Sequence, residues 1–488
     1  MVTPEQNVYG VSFPGVPQII IGFNEHIAWG QTNVGMDVSD LYEIAWADEH
    51  HRSYYLDDQV REIDFRIEQY EVRNAATVID TIKYTNWGPV MVEDSQSSLA
   101  LHWLPNVDIE GCAFTTFYML NKSKNFEEYY QALRHFHSPP QNFVFASREG
   151  DIAMKVQGKL PIKKVNQGRF IQDGSKSSNG WKGYIPHQET PIMKNPERGF
   201  VSSANQHSTD TTYPYYYHGY FEDYRSRSLN DQLSALQKIE ISDMRRLQNN
   251  SFSRFAADLC PLLLDLVSAE VGQQNKQLFQ LLSDWDYQYD RDAEAPIYFE
   301  YWHQKFYRLA WDEFYGHKTD QLFPETWRTI ALVAEAPEHR FFDILSTPEI
   351  ESAQDLAILT FNETISYFDS LTSKSRELSW QDHRQLNISH LSRIPAFSAR
   401  NVKTGGTSTA LNAVSSRNAP SWRMIVDMGE KIDAWGVYPG GASGNPGSRY
   451  YKTGIDTWAE GEYFKLHFFS VAGELPDSLL LYKESFQP

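Results

Sequence analysis

Residues 10–44 read GVSFPGVPQIIIGFNEHIAWGQTNVGMDVSDLYEI, and the way this stretch alternates turn and strand text decides the fold class. Pro14, Gly15 and Pro17 mark a turn, the β-branched run Ile19–Ile21 a strand, and Gly22 and Asn24 the next turn. From Ile27 the chain continues as strand, Gly-containing loop and strand. Working outward, YYLDDQVREIDFRIEQYEVR and ATVIDTIKYT, within 53–105, alternate apolar and polar residues, the period of an antiparallel meander. NFEEYYQAL predicts a short helix capped by Asn125. Residues 142–157 predict a hairpin turning at Arg148–Asp151, and 158–220, rich in Gly, Pro, Ser and Tyr, predict long ordered loops. From Arg225 to about Leu391 the spacing is mostly helical, and SDMRRLQNNSFSRFAADLCPLLLDLV reads as helical text capped by Ser242. After Gly405–Gly406 strand text returns in SWRMIVDM (421–428) and EYFKLHFFSV (462–471). Sheet, helices, then sheet again predict an α+β layered domain, not a βαβ repeat. The division is one domain over 1–488: sheet and loop to 220, a helical insertion over 221–400, and a returning sheet part over 401–488.

Composition narrows the function classes. Lys and Arg number 44 against 63 Asp and Glu, a net charge of −19, which argues against nucleic acid, because phosphate binding needs a basic face. The same charge disfavours an anionic membrane surface. Hydrophobic residues at 41% supply ample core material and argue against disorder. No apolar run approaches the roughly 18 residues of a membrane span. Cys112 and Cys260 are too few for a disulfide framework or a Cys-rich zinc site, and leave one bridge or two thiols open. MVTPEQNVYG lacks the basic and apolar segments of an export signal.

Several constellations carry candidate chemistry. Asp37 and Asp40, on the turn after Gly35, could offer oxygens to a hard cation such as calcium, or form a solvated acidic turn. His135 and His137 stand two apart without other ligand types nearby, and read as ordinary core or surface histidines. The run Gly440–Gly447 lacks the Lys-Ser/Thr and βα context of a phosphate loop, so it reads as a tight structural loop. Ser178–Asn179–Gly180–Trp181 is a polar turn ending in an aromatic anchor. Asn205 and Arg225 do not stand out from their surroundings by residue type alone.

Six stretches taken together change that. GVSFPGVPQIIIGFNEHIAWGQTNVGMDVSDLYEI, QNFVFASREGDIAMKVQGKLPIK, WKGYIPHQETPIMKNPERGFVSSANQ, YRSRSLNDQL, APSWRMIVDM and GGASGNPGSRYY with TWAEGEY resemble, in order, the penicillin acylase family of the N-terminal nucleophile hydrolases. The resemblance runs from about Gly10 to Tyr463 and covers most of that family's large (β) subunit. It implies αββα layered sheets and hydrolysis of a linear amide through an acyl-enzyme. In the family an amino-terminal Ser hydroxyl attacks the carbonyl while its own α-amine acts as base. Trp29–Gly30–Gln31–Thr32 then assigns one oxyanion donor to the backbone N–H of Asn33, and SSANQ assigns the second to the Asn205 carboxamide. Arg225 matches an Arg that supports this Asn and the amine. Gln31, Phe117 and Gln141 fall where the family lines its acyl pocket, and two carboxamides make that pocket more polar than a phenylacetyl site. Asp37, the carbonyl of Ser39 and Asp40 match part of a structural Ca2+ site, whose further Asp is replaced around Tyr216–Tyr217. No organic cofactor is implied, and family members are commonly periplasmic or extracellular.

The family's Ser-Asn-x-Trp start is expected before Pro14, so the amino end reads as truncated, without the nucleophile or the small subunit. Ser178 imitates that motif but lies inside a stretch the family already has there. Met1 offers no hydroxyl or thiol. The leading expectation is an amidase sequence acting on a small-molecule amide and inactive as an isolated chain. The alternatives are a subunit complemented by a separately encoded small subunit, and a non-catalytic remnant that binds a small ligand. An unrelated glycoside hydrolase would need two carboxylates about 5–10 Å apart in one cleft.

Overall fold

Alternating burial along IAWGQTN explains where the architecture starts: in the computed structural model Ile27 and Trp29 are buried, and the Trp29 indole N–H donates to the Ile20 carbonyl at 2.9 Å. The structure describes residues 1–94, 96–107, 111–271, 275–315, 322–372, 378–469 and 476–480. The strands of its first half, in chain order, are β1 (Val2–Thr3), β2 (Gln6–Val11), β3 (Ile21–Asn24), β4 (Ile27–Asn33), β5 (Ser39–Glu43), β6 (Ser53–Leu56) and β7 (Gln59–Glu62). They continue with β8 (Asp64–Tyr70), β9 (Val78–Thr85), β10 (Gly88–Glu93), β11 (Ser98–Trp103), β12 (Gln141–Ser147), β13 (Ile152–Gln157), β14 (Gln172–Asp173) and β15 (Ile192–Lys194). One sheet runs β1-β2-β3-β4-β12-β13-β15, antiparallel throughout. A second runs β14-β5-β11-β10-β9-β8, and only β14 joins it in parallel.

Two helices, α1 (Phe114–Leu120) and α2 (Phe126–Leu133), cover one face of the first sheet. Phe117, Leu120, Tyr129 and Leu133 pack there with Ile27, Trp29, Phe143 and Phe145, and Tyr129 donates to the Phe143 carbonyl at 2.9 Å. Each such side chain contributes about 1.5–3 kcal/mol by leaving water. Met36, Val156, Leu160, Ile185 and Tyr217 form a separate core. In the second sheet Tyr42 and Trp87 stack at 3.9 Å between ring centroids.

The chain divides into two compact units: Met1–Asp223 with Val426–Asp433 and His467–Pro488, and Tyr224–Ile425 with Ala434–Leu466. The first break falls three residues past the expected end of the sheet part. The returning segment differs from expectation, because 401–425 and 434–466 count with the helices. Within the first unit, Phe468 packs on Phe23 with ring centroids 5.2 Å apart, and Asn7 donates to the Phe469 carbonyl at 2.6 Å. Residues 470 and 471 of the expected last strand lie outside the described residues.

The second unit is built on long helices, among them α3 (Tyr224–Ser234), α4 (Ile241–Gln248), α5 (Arg254–Val271), α6 (Lys276–Ser283), α7 (Ala295–Ala310), α8 (Thr326–Glu335) and α9 (Ala353–Thr372). Helices α5 and α7 both pack on α9, and the Trp302 indole N–H reaches the Ala357 carbonyl at 3.2 Å. The helical text after Glu240 is broken at Asn249–Ser253, and its cap differs from the expected Ser242. Glu240 is the cap residue, and its backbone N–H donates to the Asp243 carboxylate at 3.0 Å. Cys112 is an exposed free thiol and Cys260 a buried one. A Cβ on Gly441 would land 1.8 Å from the Tyr450 carbonyl oxygen, so that glycine-rich loop is a close backbone crossing. No described helix is long and apolar enough to cross a membrane.

Candidate active site

Strand β4 carries the first donor. Asn33 stands opposite Gln141 of β12, and the next backbone bond runs from Val34 N–H to the Pro140 carbonyl at 3.3 Å. In an antiparallel ladder this makes Asn33–Gln141 a non-hydrogen-bonded pair, so the N–H and C=O of Asn33 both turn away from β12. The Asn205 carboxamide lies on that same edge, donating from Nδ2 to the Asn33 carbonyl at 2.9 Å. The Asn205 Nδ2 thus stands at the edge to which the Asn33 N–H turns. Two fixed donors on one edge can hold a carbonyl oxygen as it gains negative charge.

The loop that presents Asn205 is tied locally. Asn205 has φ 68°, a left-handed conformation that Asn tolerates better than most residues. Gln206 accepts from the Ala204 N–H at 2.7 Å and donates to the Ser202 carbonyl at 3.0 Å, while Ser203 and Thr32 share a short hydroxyl contact. Asn142 joins the two halves: its Nδ2 donates to Thr32 Oγ1 at 3.2 Å and to the Asn33 carbonyl at 3.3 Å. Sequence reasoning missed Asn142 and Ser203. The one available signal was position, since Asn142 directly follows Gln141 on a strand.

Gln31 and Gln141 share a face of the first sheet with Asn33, because side chains repeat every second residue. Gln31 donates to the Ile20 carbonyl at 3.1 Å, and Gln141 donates to Asn33 Oδ1 at 3.0 Å. Phe117 is in α1, buried in the core that covers this sheet. Arg225 is the second residue of α3, in the second unit. Ser178 is exposed on a turn whose neighbours are structural: the Asn179 carbonyl accepts from the Tyr42 hydroxyl at 3.0 Å.

Asp37, Ser39 and Asp40 are brought together, around a lysine. Lys163 Nζ lies 2.7 Å from Asp37 Oδ2, 2.9 Å from the Ser39 carbonyl and 3.3 Å from Asp40 Oδ1. The remaining carboxylate oxygens are also engaged. Asp40 Oδ2 accepts from Gln167 Nε2 at 3.1 Å and from the Trp181 indole, and Asp37 Oδ1 accepts from the Ser39 backbone N–H at 3.0 Å. Burial pushes the Asp40 carboxyl above its usual range, and the Lys163 ammonium opposes the shift. Burial also lowers His102, whose ring meets Trp181 edge-on. Among the described residues no group of three or more His, Cys, Asp or Glu is placed to hold a metal. These oxygens do not fit a resident Ca2+ while the ammonium stands among them.

The fold is that of a solved thermostable penicillin G acylase from Alcaligenes faecalis, with a TM-score of 0.76 at 17% identity, covering 100% of this chain and 94% of that one. It is an N-terminal nucleophile hydrolase fold. The family model for penicillin amidase matches residues 1–471, and the chain belongs to that family. Among curated relatives, the acyl-homoserine lactone acylase QuiP of Pseudomonas aeruginosa is 23% identical over 528 residues, covering 96% of this chain and 62% of the relative. Penicillin acylase 2 proenzyme of Pseudomonas sp. strain SE83 is 21% identical, covering 93% of this chain and 60% of the relative. The chain therefore spans about 60% of the length of these relatives.

Proposed function

We propose that these residues form the anion-stabilising wall of an acylase that hydrolyses the linear amide of a small N-acyl amine. The observation that carries the reading is the Asn205 carboxamide 2.9 Å from the Asn33 carbonyl, on the strand edge to which the Asn33 N–H also turns. Asn33 N–H and Asn205 Nδ2 hold the carbonyl oxygen as the tetrahedral intermediate forms, and Asn142 keeps them in register. Gln31, Gln141 and Phe117 line the acyl side. The attacking hydroxyl comes from a segment that joins these residues in the working enzyme. The names of the relatives support two substrate classes, N-acyl-homoserine lactones and penicillins.

Acid release from an N-acyl-homoserine lactone and from a penicillin tests the reading. Asn205→Ala in the working enzyme is expected to lower kcat by about 10²–10³ with little change in KM, the effect of losing one oxyanion donor. The chain assayed alone is expected to be silent. Full rate in Asn205→Ala, or turnover by the isolated chain, defeats the assignment.

A further inference from the structure

Lys163 occupies a position that its sequence context does not announce. It sits in GKLPIKK next to Lys164, and a pair of lysines ordinarily reads as a solvated edge. Yet its side chain is 2% exposed, and it faces Asp40 at 0% and Asp37 at 20% exposure. Burying an ammonium is costly unless charge and hydrogen bonds are matched around it. Here they are. The three N–H bonds of the ammonium have three acceptors, Asp37 Oδ2, the Ser39 carbonyl and Asp40 Oδ1, and the Trp181 ring lies 5.6 Å from Nζ.

We infer that Lys163 is a built-in replacement for a structural cation, and that this fold holds its Asp37–Asp40 turn without calcium. Calcium needs six to eight oxygens at about 2.3–2.6 Å, with carboxylates free to turn toward it. Two carboxylates and a carbonyl arranged around one point would be half of such a shell. In this chain the point is a nitrogen, and the outer faces of the carboxylates are held by Gln167, Trp181 and Ser39. One ammonium neutralises one of the two negative charges, and the amide and indole N–H groups on Asp40 offset part of the second. The backbone is shaped for this arrangement too. Gly168 has φ 93°, and a Cβ there would stand 2.0 Å from Asp37 Oδ2 and 3.2 Å from Lys163 Nζ. A cavity of about 230 Å³ opens beside Asp37, Asp40 and Gly168, so an added ion has a route to these oxygens. The inference does not depend on the proposed amide hydrolysis, because its readout is thermal stability.

The test is thermal unfolding of the wild-type chain, Lys163→Ala and Lys163→Arg, each in EDTA and in millimolar CaCl2. Wild type is expected to melt at the same temperature in both. Lys163→Ala is expected to melt several degrees lower in EDTA. Calcium regaining part of that loss would show the ion returning to the lysine's place, and no regain would show that only an ammonium serves it. Lys163→Arg is expected to keep most of the wild-type stability and to ignore calcium. A wild-type melting temperature that falls in EDTA and returns with CaCl2 overturns the inference, as does Lys163→Ala melting with wild type. The wild-type arm decides the matter even where Lys163→Ala does not fold.

Discussion

Asn142 is 1% exposed and bonds to Thr32 and to the Asn33 carbonyl, on the strand that carries the proposed oxyanion site. Asn142→Ala removes one donor each from Thr32 and the Asn33 carbonyl, which keep Ser203 and Asn205 as partners, and is expected to cost about 0.5–1.5 kcal/mol, the net worth of a hydrogen bond. Asn142→Asp keeps the shape but buries a charge and points an acceptor at the Asn33 carbonyl, which has no proton to give, leaving only the Thr32 hydroxyl able to turn and donate. We therefore expect Asp to destabilise more than Ala in urea unfolding, and an Asp variant as stable as wild type would remove Asn142 from this role. Residue by residue, legibility followed locality. The nearness of Asn33 and Asn205, 2.9 Å apart, could be expected because WGQTN and SSANQ are short words that carry the family resemblance. Lys163 could not, since its partners lie 123–126 residues away and nothing in GKLPIKK encodes an ion pair at that distance. The acidic turn was legible as a cation seat, while the identity of the cation was not.

At the scale of elements, helix α2 was readable because its cap is local: Asn125 Oδ1 accepts from Glu128 N–H at 3.0 Å. Helix α1, FTTFYML, was not expected, since β-branched and aromatic residues without a polar face favour strand text. The start of α4 gives a test of capping. Ser242 is exposed and makes no cap, so Ser242→Ala is expected within about 0.5 kcal/mol of wild type. Asp243→Ala removes the acceptor of the Glu240 N–H and is expected to cost about 1 kcal/mol in urea unfolding. Equal losses would restore Ser242 as the cap. The end of β13 sets a pH dependence. Burial, with Lys155 and Arg134 nearby, pushes the His187 imidazole down to about 4, and its Nδ1 lies 2.8 Å from Gln157 Oε1. The unfolded imidazole takes its proton near its ordinary value of about 6.5. Between the two values the unfolded state binds more protons, so stability falls as pH falls from 6.5 toward 4. His187→Gln should flatten that part of a melting-temperature profile, and a slope unchanged from wild type would remove His187 as its source.

For the whole molecule, the order of sheet, helices and sheet was legible because periodicity changes from two to helical spacing near Tyr220 and back after Gly405. The sharing of the returning segment between two units was not, because only tertiary contacts decide which core a short strand joins. Net charge is the property that needed no structure, and it separates the two proposed substrate classes. At −19 this chain repels a penicillin, which carries a carboxylate at neutral pH, and is indifferent to a neutral acyl-homoserine lactone. Raising ionic strength from about 0.01 M to 0.2 M shortens the screening length from about 30 Å to below about 10 Å. In the working enzyme kcat/KM for the penicillin should then rise about 2–10-fold, the scale of long-range effects on encounter, while the neutral lactone changes little. The comparison is internal, since both substrates meet the same donors. A matching rise with the neutral substrate would place the salt effect on the protein's own conformation, and no rise with the penicillin would mean that local positive groups cancel the field at the cleft.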